Sequence, residues 1–102
     1  MRPKYRYIAF GVSGAKLSKG EATSAIMNSL RRLQDFDMSV VRMIFFWTDS
    51  GRVLLRCEHK QVAQVKAAIL KLKQVGDRNV AFSILGVSGT IRAAKRKFLP
   101  AL

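Results

Sequence analysis

The sequence predicts an α+β domain whose elements run β-α-β-β-α-β and end in a third, basic helix. Three observations carry that reading. Apolar and β-branched residues make four strand-like stretches, three-and-four spacing marks two helices between them, and clusters of Gly, Ser and Asp fall at the junctions. A length of 102 residues with 49% hydrophobic content suits a single domain, 1-102, with a core of its own.

Tyr5 to Val12 reads as the first strand, Ile8, Phe10 and Val12 alternating against Tyr7 and Ala9. Ser18-Lys19-Gly20-Glu21 then has capping-box spacing, and Ala22, Ile26, Leu30 and Leu33 carry a helix to about Gln34. The run from Met38 to Thr48, rich in aromatic and β-branched residues, predicts a second strand, which Asp49-Ser50-Gly51 turns into a third from Arg52 to Glu58. Val62, Val65, Ile69, Leu72 and Val75 predict a second helix with Lys66, Lys71 and Lys73 on its other side, ended by Gly76-Asp77. Val80 to Val87 makes the fourth strand. This is the ferredoxin-like (RRM-like) split βαβ, with a four-stranded antiparallel sheet covered on one face by two helices. Its other face is open to three covers: the C-terminal helix, a protein partner or nucleic acid. The string Gly-Val-Ser-Gly occurs at 11–14 and again at 86–89, each time where a strand ends, and the turn preferences of Gly and Ser account for it.

The C-terminal stretch from Leu85 to Leu99 is the most specific part of the chain. A strand runs into the turn Ser88-Gly89-Thr90 and then into a helix at about 90-99 bearing Arg92, Lys95, Arg96 and Lys97 with no acid among them. At about 100° per residue Ile91, Ala94 and Phe98 share one face, Arg92 and Arg96 lie together on another, and Lys95 and Lys97 flank them. A glycine turn that exposes N–H groups at a helix start, beside outward guanidinium groups, suits phosphate. The plain alternative is a solvated amphipathic cap.

Nineteen Lys and Arg against six Asp and Glu give a net charge of +13, which calls for an anionic partner. Nucleic acid fits best, because the bases are spread along the chain and no stretch nears the roughly 20 apolar residues of a membrane span. The basic N-terminus lacks a signal-peptide core, and the single Cys57 cannot form an internal disulfide, so a cytoplasmic location is expected.

Missing chemistry narrows the choice further. RNA-recognition domains stack bases on aromatics of the third strand, and Arg52-Val53-Leu54-Leu55-Arg56-Cys57-Glu58 has none. RNA contact therefore falls to basic groups, with Arg56 and Lys60 as candidates beside the C-terminal set. The six acids are scattered, which argues against a two-metal nuclease. Cys57 and His59, two apart, would share a face of a strand but lack the further partners of a metal or nucleophilic site. Alternation sets Phe46 opposite Phe45 and Trp47, which makes the second strand apolar on both sides and offers Phe46 or Trp47 to a partner protein.

These residues together resemble the archaeal ribonuclease P protein component 2 family, of Rpp14/Pop type. The likeness runs through Arg6-Tyr7-Ile8-Ala9-Phe10, Leu17-Ser18-Lys19-Gly20-Glu21, Leu55-Arg56-Cys57-Glu58-His59-Lys60 and above all Leu85 to Leu99. Gly11 departs from it, standing where the family leads one to expect a larger, often acidic residue. The resemblance implies a noncatalytic subunit that steadies the catalytic RNA of ribonuclease P during 5′-leader removal from precursor tRNA, with Mg2+ on the RNA and no cofactor on the protein. It also implies pairing with ribonuclease P protein component 3, a TIM-barrel-like protein, in a two-plus-two heterotetramer. Another basic ribonucleoprotein module, such as a ribosomal protein, would share charge and topology. An acylphosphatase-like hydrolase would need an arginine in the loop after the first strand, and Gly11-Val12-Ser13-Gly14-Ala15 has none.

Overall fold

In the computed structural model, which describes residues 4–14, 16–47 and 51–98 and only the backbone of Phe45, Phe46 and Trp47, nine strands and helices follow one another. They are β1 (Tyr5–Ser13), α1 (Lys19–Arg31), β2 (Arg42–Trp47), β3 (Arg52–Glu58), α2 (Val62–Leu70), β4 (Gln74–Val75), β5 (Arg78–Asn79), β6 (Ala81–Ser88) and α3 (Ile91–Phe98). The main sheet has the order β2-β3-β1-β6, antiparallel throughout. This is the ferredoxin-like arrangement expected, with β1 and β3 at its centre.

The capping box opens α1 as its spacing requires: the Glu21 N–H donates to Ser18 Oγ (3.2 Å) and the Ser18 N–H donates to Glu21 Oε1 (3.0 Å). The helix buries Ala22, Ile26 and Leu30 and stops at Arg31, three residues before the expected end. Downstream, the Asp37 carboxylate accepts from the Ser39 N–H (2.9 Å) and hydroxyl (2.6 Å), which holds it below its ordinary pKa. Those local bonds fold Met38–Val40 into a 3-10 turn, so the second strand starts at Arg42 rather than Met38.

The second helix is also shorter than its periodicity suggests. It ends at Leu70, and Gln74–Val75 pairs with Arg78–Asn79 in a small hairpin about Gly76, whose φ of 65° favours glycine. Leu72 and Val75 prolong the three-residue spacing by chance of position, and Val75 reaches the same core from a strand. Arg78 ties this hairpin to the start of α1 by donating to the Lys16 carbonyl (3.1 Å) and pairing with Glu21.

The core between helices and sheet is continuous. Ile8 and Phe10 of β1, Val53, Leu55 and Cys57 of β3 and Phe82 of β6 meet Ile26 and Leu30 of α1 and Val65 and Ile69 of α2. Burial of each large side chain contributes about 1.5–3 kcal/mol. The buried Gln61 amide is satisfied, donating to the Asp37 carbonyl (2.9 Å) and accepting from the Glu58 N–H (3.0 Å).

Of the three possible covers for the opposite face, the fold uses the C-terminal helix. Ala94 of α3 packs on Ala9 and Leu54, with Tyr7, Ile44, Ile91 and Phe98 around them. Register decides what α3 meets, because β6 carries a bulge: Ala9 pairs with Gly86 but Phe10 with Ile84, leaving Leu85 unpaired. Gly86 thus turns to α3, and the Phe98 ring lies where a Cβ on Gly86 would stand.

Candidate nucleic-acid interface

The turn that starts α3 is built from the hydroxyls the sequence singles out. Thr90 is the cap, its Oγ1 accepting from the Ala93 N–H (3.1 Å) and its carbonyl from the Ala94 N–H (3.1 Å). Ser88 is buried, and its Oγ accepts from the Thr90 N–H (3.4 Å). Both hydroxyls therefore shape the turn, while Gly89 stays exposed with open space about its Cα.

Beyond the turn, helical periodicity separates packing from charge. Ile91, Ala94 and Phe98 face the sheet, whereas Arg92, Lys95, Arg96 and Lys97 are all exposed. The last turn is anchored from β3, where Arg52 Nη1 donates to the Phe98 carbonyl (2.8 Å), a cation at the negative end of the helix. Arg52 is a residue that sequence reasoning missed. The parity of β3 could have placed it on the α3 face with Leu54, but not the helix end it meets.

Arg56 lies on the same face. Its guanidinium sits 4.3 Å from the centre of the Tyr5 ring, and its Nε donates to the Val40 carbonyl (3.3 Å). In register, Tyr7 is opposite both Ser88 and Arg56, and Arg56 is opposite Arg42. One row thus crosses the sheet from the α3 turn to Arg42, joining candidates the sequence treats separately. Lys60 is exposed in the 3-10 turn His59–Gln61, beyond the end of β3.

Cys57 and His59 are not brought together. Cys57 is buried on the helix side of β3, its thiol pushed up to about 11 by burial and the Glu58 charge. His59 has left the strand and is exposed, its Nδ1 3.4 Å from the Lys4 carbonyl. The side chains of Phe46 and Trp47 lie outside the described residues; their backbones pair with Val53 and Arg52.

A family model matches residues 6–99, nearly the whole chain and the whole of α3. The chain belongs to the Rpp14/Pop5 family. Among relatives of this family member is ribonuclease P protein component 2 of Methanosarcina mazei, 30% identical over 97% of this chain and 87% of the relative. The proteins of the same name from Thermococcus kodakarensis (36%; 97% and 86%) and Methanocaldococcus jannaschii (35%; 97% and 75%) are similar over comparable spans. In fold it resembles a chain of the cryo-EM structure of yeast ribonuclease MRP, with a TM-score of 0.64 at 14% identity, covering 88% of this chain and 77% of that one.

Proposed function

We propose that this Rpp14/Pop5 protein is a noncatalytic subunit of ribonuclease P that binds and stabilises the catalytic RNA during 5′-leader removal from precursor tRNA. The observation that carries the reading is the family match across 6–99, taken with a basic helix docked on the sheet so that Arg92, Arg96 and Lys97 point outward. Helix α3 occupies the middle of the face on which RNA-recognition domains stack bases, so contact is made through phosphates. Screening of phosphate repulsion by these cations lets the RNA fold compactly and hold its Mg2+ ions at lower bulk concentration.

Component 3 is the expected protein partner, in a two-plus-two assembly, with Phe46 or Trp47 of β2 in the contact. The test is reconstitution of the chain with ribonuclease P RNA and component 3, followed by cleavage of precursor tRNA. The protein alone should not cleave, and the protein pair should lower the magnesium the RNA requires. Cleavage by rigorously RNA-free protein, or a magnesium requirement that the pair leaves unchanged, would overturn the proposal. Native mass of the protein pair tests the stoichiometry.

A further inference from the structure

The end of the sheet face that α3 leaves open carries a like-charged pair. Arg42 and Arg56 are directly opposite on β2 and β3, which places their Cβ atoms about 4.5–5.5 Å apart. Like charges so placed destabilise a sheet unless something neutralises them. No acidic side chain among the described residues does. Among the described residues the ion pair is Arg78 with Glu21, at the β5 hairpin and the start of α1, and the exposed Arg42 side chain makes no hydrogen bond. Glu58, two residues along from Arg56 on the same face, pairs with neither arginine.

The geometry also shows how Arg56 is held. The Tyr5 ring supports one side of its guanidinium and the Val40 carbonyl takes Nε, which fixes the plane and leaves Nη1 and Nη2 without a partner among the described residues. A fixed guanidinium with a free edge is the form that binds phosphate oxygens in pairs. From these observations we infer that Arg42 and Arg56 form a phosphate-binding site for the RNA backbone at the open end of the sheet. The site continues the basic surface of α3, since the row Ser88, Tyr7, Arg56, Arg42 leads to it from the helix turn. It deepens the RNA-binding role proposed above, and it rests on that reading only for which RNA is bound. RNA is favoured over an acidic protein segment because the pair lies in one row with the turn that leads to the outward cations of α3, a track of positive charge that a repeating phosphate backbone matches.

The test measures binding of the full chain to two probes across salt concentration, an in vitro transcribed ribonuclease P RNA and an unrelated RNA hairpin. Loss of two phosphate contacts in Arg42→Ala/Arg56→Ala should reduce the log-log salt slope by roughly 1.4 to 1.8 for both probes. Lys66→Ala/Lys73→Ala, in α2 and in the segment that follows it, should reduce it less. Because Arg56 packs on Tyr5, Arg42→Ala alone serves as the second variant, with a drop of roughly 0.7 to 0.9 and an unfolding temperature at or above the wild type. A slope unchanged in both arginine variants, or reduced no more than in the lysine control, overturns the site while the subunit reading stands. Loss of component 3 binding with RNA binding intact overturns it in favour of a protein contact. Arginine-dependent binding to the hairpin without affinity for ribonuclease P RNA keeps the site and removes the subunit reading. Binding of neither probe by the wild type removes both.

Discussion

Where α1 and α2 cover the sheet, large side chains from four strands and two helices close a continuous core; where α3 covers it, the buried contact among the described residues is Ala9, Leu54 and Ala94 with partly covered neighbours. The first face holds the domain together through apolar volume. The second is held by fit: a ring seated on a glycine, a small residue against a small residue, and an arginine capping the helix end. A face built that way can position charge without being needed for the rest of the fold. Adjacent residues of β3 sample the two faces, Leu55 pointing to the helices and Leu54 to α3, both fully buried.

That adjacency sets the two faces against each other within one strand. Leu55→Ala should cost about 3–5 kcal/mol, and Leu54→Ala about 2–3 kcal/mol because α3 can settle into the gap. Denaturant unfolding of both variants checks the order, and a reversed order would show that α3 carries more of the fold than its contacts suggest. Phe98→Ala should cost about 2 kcal/mol, with Gly86→Val similar because the valine takes the ring's seat. Hydrogen exchange should then quicken in α3 while the β1 and β3 amides remain protected.

Charge on the outer side of α3 should behave in the opposite way. Arg92→Ala/Arg96→Ala should weaken RNA binding by about 1–2 kcal/mol and shift stability by no more than about 0.5 kcal/mol, since neither side chain packs on the sheet. Affinity and thermal unfolding measured together decide it. Unchanged affinity would make α3 a solvated cap.

The smallest expected effect reports on the helix-side core through pH. Cys57 keeps its proton to about 11 when folded, against an ordinary value of 9.0. The unfolded chain loses that proton first as pH rises, so the group's contribution is complete below pH 9 and is lost between 9 and 11. The difference between wild type and Cys57→Ala should narrow by about 1 kcal/mol at pH 10. A constant difference across that range would show the thiol to be open to solvent.

Much of this was legible because local chemistry and tertiary demand agree. Ser18 with Glu21, the alternation of Ile8 and Phe10, and the split faces of α3 each mean the same thing at both levels. Misreadings arose where two structures satisfy one pattern. Leu72 and Val75 extend a helical spacing that a turn and hairpin bury equally well, and Asp37 overrides the strand preference of Met38 to Val40 through two short bonds. Arg42 and Tyr5 escaped notice for another reason. Their meaning comes from who stands opposite, and cross-strand register is not written in either strand alone.

The unpaired Leu85 has a consequence for chain length. Phe82 and Ile84 face the helices, and so does Val87, an odd step further on; Gly86 between them faces α3. Strict alternation cannot produce that pattern, so the extra residue acts as a change of parity halfway along β6. Everything after it, the seat for Phe98 and the turn that aims α3 included, inherits the new parity. Deleting Leu85 alone would leave Ile84, Gly86, Val87 and Ser88 in strict alternation on the faces they hold now, whereas deleting two residues there would turn the remainder of the strand inside out. At this point the strand carries one residue more than alternation needs, and the count of residues matters as much as their identity.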